Sequence, residues 1–293
     1  MFLLLILKKK CDILKKIAFK TTIKGVNMKK IAFIGAGNMA SAICGGIISS
    51  KVSSAENIIL FDKNKEQYKR FDNVCTIASS IKEAVELSDC IFLSVKPQTI
   101  KDVLNEIKNV CIDGKLFVSI CAGITIESIQ QSLKNAKIIR TMPNTPLLIG
   151  KGVTALCKNS FVSDEEFAFA KSIFSSSGIV TELNEEEINK ITAITSSSPA
   201  YVYLFAKAMM AGAESMGFNH QNTLEMICRT IIGAAEMVLS DSRSVDELIQ
   251  MVKSPNGTTE KALNVFEERD FIGIMCDAMK ACEKRANELA QMN

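Results

Sequence analysis

The stretch that most constrains this chain is KKIAFIGAGNMA, residues 29–40. Its apolar run, Ile31 to Ile34, has the character of a buried strand. It turns at once into Gly35-Ala36-Gly37-Asn38-Met39-Ala40, which fits G-x-G-x-x-A. In such a motif the first glycine permits a tight turn and the second lets backbone approach a pyrophosphate. The small third residue lets the following helix, here beginning near Asn38, pack on the strand. The start of that helix offers free N–H groups and a positive dipole end to phosphates. A second strand, over 57–61, ends in Asp62, 22 residues beyond Ala40 and where a ribose-binding carboxylate is expected. The segment therefore reads as a dinucleotide site, with Ile34, Gly35, Ala36, Gly37, Asn38, Met39 and Asp62 as candidate contacts.

Beyond this motif the chain keeps alternating. Short apolar runs predict strands over 31–34, 58–61, 90–95, 116–120, 137–141, 153–157 and 179–183. Amphipathic segments predict helices over 38–50, 64–71, 81–87, 98–107, 126–133 and 164–175. Regular β–α alternation implies an α/β domain with a parallel sheet and right-handed crossovers, spanning about residues 28–183. Ligands then collect beyond the carboxyl ends of the strands. That places Ser94-Val95-Lys96-Pro97, Cys121-Ala122-Gly123 and the segment TMPNTP, which contains Asn144, among the residues to follow. Lys96 either faces cofactor phosphate or ribose, or is a solvated strand end. TMPNTP is either a stiff site loop or an ordinary turn.

From about residue 184 onward no strand is predicted, and helices follow one another over 185–195, 199–216, 222–239, 244–252, 258–268 and 273–291. Pro199 is expected to end or kink the first of them. The second and third are apolar round much of their circumference, so they need burial on more than one side, by neighbours or by a second subunit. This points to a helix-exchanging homodimer.

Charge and cysteine content exclude several functions. The formal net charge of +3 comes from the first 27 residues, which hold seven Lys against one Asp; the remainder holds 28 basic and 31 acidic residues. Nothing in that balance favours nucleic acid. Ten cysteines are scattered without a C-x-x-C, and there is one His, so no metal site is expected. Scattered thiols suit a reducing compartment such as the cytoplasm. Residues 1–27 carry an apolar run too short for a membrane span, with its lysines on the wrong side for a secretory signal. We read them as a disordered extension, upstream of a natural start at Met28.

Chemistry-bearing residues are few. His220 lies in a polar interhelical link and reads as solvated, and Lys207 has no supporting pattern around it. What stands out is Ser254-Pro255-Asn256-Gly257-Thr258-Thr259, a tight loop leading into a helix. A hydroxyl ahead of a helix is ordinarily an N-cap, and one of these is expected to fill that role. The same helix start suits a carboxylate, and one loop can serve both ends.

Taken together, KKIAFIGAGNMA, IFLSVKPQ, SICAGIT, RTMPNTP, TSSSPAYVYLFAKAMMAGAESMG and MVKSPNGTTEKAL, in that order and spacing, resemble pyrroline-5-carboxylate reductases. The resemblance runs from Met28 to near the C-terminus. It implies reduction of 1-pyrroline-5-carboxylate to L-proline by NAD(P)H, the last step of proline synthesis. It also implies a Rossmann-type domain followed by an all-α dimerisation domain, with dimers assembling further into rings such as decamers. By motif, Thr259 would hydrogen-bond the ring nitrogen, and Ser254, Gly257 and Thr258 would place the substrate carboxylate. Residues 94–97 and 121–123 would line the cofactor, and Asn144 the nicotinamide end. Ser196 and Ser198 stand where the family usually has glycine, and Lys253 replaces a small residue. Asp62 favours a free 2′-hydroxyl and hence NADH, whereas Lys63, Lys65 and Arg70 offset its charge and NADPH is the family's habit. Two other readings fit the same plan: a related imine or β-hydroxyacid-type reductase, and a non-catalytic NAD(P)-binding regulator.

Overall fold

A computed structural model describes residues 30–71 and 74–292; the extension 1–27 and the side chain of Arg70 lie outside the described residues. The described residues divide into two compact units, one within 30–188 together with 290–292, the other 189–289.

The first unit is built on an eight-stranded sheet in the order β3-β2-β1-β4-β5-β6-β7-β8. Its strands are β1 (Ile31–Ile34), β2 (Ile58–Phe61), β3 (Thr76–Ile77), β4 (Cys90–Leu93), β5 (Leu116–Ser119), β6 (Lys137–Pro143), β7 (Gly152–Lys158) and β8 (Gly178–Glu182). Every residue of β1, β4 and β5 is buried, as befits central strands covered on both faces. Phe33 and Phe92, in register across β1 and β4, stack with ring centroids 4.6 Å apart. Truncating either to Ala is expected to cost about 3–5 kcal/mol, the usual figure for a core aromatic.

Around the sheet lie α1 (Asn38–Ser49), α2 (Ile81–Glu86), α3 (Ile100–Ile107), α4 (Ile126–Ser132) and α5 (Asp164–Ser175). Three of these starts carry the hydroxyl cap that sequence favours. Ser80, Thr125 and Ser163 each accept an N–H from the first turn, Ser163 within a full capping box. The helix α1 departs from this pattern, and its start is treated below.

Several expectations need correction. The sheet is parallel except for β6 and β7, which pair antiparallel. They are joined by a short 3-10 turn, Thr145–Ile149, which has no room for a crossover helix. Pairing with β7 also draws β6 out past Thr141 to Pro143, so Met142 and Pro143 are strand rather than loop. The edge strand β3 was not foreseen, because two exposed residues give no periodicity. The segment Lys65–Phe71 is a 3-10 helix rather than an α-helix.

Helix α6 (Glu185–Ile191) starts beside the sheet, where Glu185 Oε1 accepts the Ile126 N–H at 2.7 Å and pairs with the buried Arg140 Nη1 at 3.2 Å. The second unit opens with a π-helical turn, Thr192–Ser196, in which the Ser197 N–H reaches the Thr192 carbonyl at 2.9 Å. That widened turn is the kink expected ahead of Pro199. The chain then continues as α7 (Ser198–Ser215), α8 (Thr223–Ser240), α9 (Val245–Val252), α10 (Thr258–Glu268) and α11 (Phe271–Met292). In a single chain these helices leave large apolar side chains in solvent, among them Leu204 at 65% and Leu239 at 85% exposure. Contiguous exposure of this kind marks an interaction surface. No helix among the described residues is long and apolar enough to cross a membrane.

Candidate active site

Two helix starts in this molecule lack a side-chain cap because their N-cap residue is glycine: α1, after Gly37, and α10, after Gly257. Each opens from a turn that the sequence had singled out.

At the first, β1 ends in Gly35, whose φ of 100° is accessible to glycine. A Cβ there would also sit 2.5 Å from the Ser94 carbonyl oxygen. The turn is pinned from both neighbouring strands. The Gly35 N–H donates to the Phe61 carbonyl at 2.7 Å, and the Ser94 hydroxyl donates to the Ile34 and Gly35 carbonyls at 3.0 and 2.6 Å. Gly37 is different. Its φ of −70° suits any residue, and an added Cβ would meet nothing within 4 Å. Its missing side chain thus leaves space in front of the first-turn amides, and no acid stands in that turn. Such a start is suited to a phosphate group.

Asp62, at the end of β2, leans over the same turn. Its Oδ2 accepts the Ala36 N–H at 2.8 Å and its Oδ1 the Asn64 N–H at 2.8 Å. Tyr68 clamps the Asp62 backbone through its hydroxyl. The resulting cleft, about 370 Å³, brings together Ile34, Gly35, Gly37, Asp62, Ser94, Val95 and Lys96. It adds Lys63, Asn64, Gln67 and Thr99 to the wall. The last three were missed, since polar residues in the bends and 3-10 turns after a strand carry no pattern of their own; adjacency to Asp62 and Pro97 was the available signal.

The other candidates fall behind or beside this cleft rather than in its wall. Cys121 is buried and its thiol donates to the Leu93 and Val95 carbonyls at 3.3 Å each, tying the end of β5 to that of β4. Burial pushes that thiol up to about 12, which makes it a clip and not a nucleophile. Gly123, with φ of 72°, lets the chain turn away after Ala122. Asn144 is buried, and its Oδ1 accepts the Val153 N–H at 2.8 Å, so it fixes the start of the 3-10 turn against β7. Pro97 opens the 3-10 turn Pro97–Thr99 ahead of α3.

In the second unit, α9 and α10 are joined by a turn in which the Gly257 N–H donates to the Ser254 carbonyl at 2.9 Å. Asn256 adopts a left-handed φ of 58°, and a Cβ on Gly257 would lie 2.2 Å from the Ser254 hydroxyl. The expectation that one hydroxyl caps this helix is overturned. The N-cap is Gly257, because the tight turn holds Ser254 on the wrong side and places Thr258 and Thr259 inside the first helical turn. Ser254 and Thr258 are exposed and Thr259 half-buried at this uncapped helix start. His220 is exposed and packs on Phe218 at 4.6 Å, as a solvated residue does. Among the described residues no cluster of His, Cys, Asp or Glu is placed to hold a metal.

A mostly parallel sheet whose first strand runs through a glycine turn into an uncapped helix, with an acid at the end of the next strand, defines a Rossmann-type nicotinamide-dependent oxidoreductase. Comparison with known proteins narrows the class. Residues 30–123 match the family described as "NADP oxidoreductase coenzyme F420-dependent", and residues 185–289 match "Pyrroline-5-carboxylate reductase dimerisation". The pyrroline-5-carboxylate reductase of Escherichia coli is 35% identical over 266 residues, covering 90% of this chain and 99% of its own. That of Pseudomonas aeruginosa is 36% identical, covering 89% and 97%. Among solved structures, the Plasmodium falciparum pyrroline carboxylate reductase with NADP bound superposes with a TM-score of 0.84 at 30% identity, over 90% of this chain and 98% of that one. The chain belongs to the pyrroline-5-carboxylate reductase family.

Proposed function

We propose that this chain reduces 1-pyrroline-5-carboxylate to L-proline, using NADPH as hydride source, with the two glycine-capped helix starts dividing the work. The start of α1 holds the cofactor pyrophosphate, and residues 254–259 hold the substrate. The observation that carries this reading is the pair of helix ends left open by glycine, where three α/β helices of the same chain close theirs with the hydroxyls of Ser80, Thr125 and Ser163. When bound, the reduced nicotinamide supplies the hydride.

The chain's own residues need do little beyond placement. A protonated cyclic imine is already an electrophile, so no side-chain acid is required as the hydride adds, which agrees with the single, exposed His220. Amides of Thr258 and Thr259, with the Ser254 hydroxyl, grip the carboxylate. The Thr259 hydroxyl orients the ring nitrogen, and fixing reactants in this way is a proximity contribution. Ser94 and Cys121 keep the strand ends rigid behind the cofactor, and Asn144 orders the loop at its nicotinamide end.

Asp62 works against a 2′-phosphate and for a free ribose hydroxyl, while Lys63 in the same wall offsets part of its charge. NADH is therefore a competent second donor. The exposed apolar faces of α7 and α8 support a homodimer through the helical unit, with dimers arranged in larger rings. The free state of every described cysteine supports a cytoplasmic setting. The two domains are assigned to residues 28–183 and 184–293.

The test is loss of absorbance at the reduced-nicotinamide band with pyrroline-5-carboxylate, for wild type and Thr259→Val. Turnover in wild type with a large loss in the variant is expected. Unchanged turnover in Thr259→Val removes Thr259 from its role, and turnover of hydroxy acids alone moves the chain to a different reductase class.

A further inference from the structure

The start of α10 carries a charge that the start of α1 does not. No acid stands in the first turn of α1, whereas Glu260 stands in that of α10. A carboxylate there favours the helix itself, because it meets the positive end of the dipole. It also opposes any second anion arriving at the same amides. Two contacts relieve that conflict. Glu260 Oε2 accepts the Asn256 N–H at 2.9 Å, which turns the carboxylate back onto the loop and holds Asn256 in its left-handed conformation. Glu260 Oε1 lies 3.5 Å from Lys253 Nζ, with the two side chains 25% and 30% exposed. Lys253 immediately precedes Ser254, so the ion pair brackets the turn. In the cleft beside it, Lys253 is the one cation among the described lining residues, which also include Glu267 and Asp270.

We infer that Lys253 is a specificity-determining positioning residue: by neutralising Glu260 it allows residues 254–259 to accept a substrate that carries a carboxylate. This rests on the reading of that loop as the substrate site.

The test is steady-state kinetics of the full chain with pyrroline-5-carboxylate varied at saturating NADPH, for Lys253→Met, Lys253→Arg, Glu260→Gln and the double variant Lys253→Met/Glu260→Gln. A proline-induced shift in melting temperature gives a second readout that needs no turnover. Lys253→Met is expected to raise the substrate KM about three- to tenfold, with kcat and the NADPH KM nearly unchanged, and to weaken the proline shift. Lys253→Arg restores wild-type behaviour, and the double variant recovers most of the lost affinity because the repelling charge has gone. An unchanged KM in Lys253→Met overturns the inference. So does a double variant as impaired as Lys253→Met, which would make Lys253 a packing residue. If instead wild type and Thr259→Val behave alike, the loop is not the substrate site, and both readings fall together.

Discussion

The starts of α1 and α10 are built to the same end by different means. The first is imposed by a sheet: Gly35 is locked between β2 and β4, and only Gly37 is left open in front of the helix. The second has no sheet behind it and is shaped by its own turn, with Gly257 hard against Ser254 and Asn256 left-handed. The first has no acid in its own first turn, its carboxylate coming from Asp62 on the next strand, whereas the second carries Glu260 and balances it with Lys253. The same local device, a helix end without a side-chain cap, is proposed to take a doubly charged pyrophosphate on the rigid frame. On the smaller and tunable frame it is proposed to take a single carboxylate.

The largest effect expected of a single change falls on the rigid frame. Gly35→Ala forces a side chain into a left-handed φ and onto the Ser94 carbonyl, so it should cost at least about 3 kcal/mol of stability and abolish NADPH binding. Thermal melting with an NADPH fluorescence titration measures both. Gly257→Ala is the counterpart in the second unit. It should raise the pyrroline-5-carboxylate KM about tenfold or more while NADPH affinity stays at the wild-type level, because the clash is confined to Ser254. Equal damage to both ligands would erase the division of labour. Gly37→Ala sharpens the comparison further. With ordinary φ and open space around it, the variant should melt within about 0.5 kcal/mol of wild type and yet bind NADPH about tenfold more weakly. Asp62→Ser should shift the ratio of kcat/KM toward NADPH over NADH by about tenfold, since a carboxylate no longer faces the 2′-phosphate. The smallest effect belongs to Cys121. Its raised pKa keeps it a thiol at all working pH values, so iodoacetamide at pH 8 should label the exposed Cys111 well before Cys121, as read by peptide mass.

Most of the first frame was legible from residues alone. G-x-G-x-x-A, the apolar β1 and an acid 22 residues on fix one another's roles through spacing, and local sequence there coincides with local structure. The helix Asp164–Ser175 was equally plain, since its amphipathic run gives the observed bounds, which the Ser163–Glu166 capping box then fixes. What escaped depended on contacts distant in sequence. The reversal of β7 follows from a link too short to cross the sheet, and the extension of β6 to Pro143 from pairing that no periodicity records. The second frame was legible as a loop but misjudged in detail: hydroxyls ahead of a helix signal a cap, and only the tightness of the Ser254–Gly257 turn shows that they are held off the cap position. The Lys253–Glu260 pair was not legible either, because residues seven apart become neighbours only once the turn has folded back.

The central claim, that one uncapped helix start takes the cofactor and the other the substrate carboxylate, is tested most directly by a crystal structure with proline and NADP bound. The account predicts the pyrophosphate on the first-turn amides of α1 and the proline carboxylate on those of Thr258 and Thr259, with the Thr259 hydroxyl at the ring nitrogen. Proline seated away from the start of α10 would contradict it.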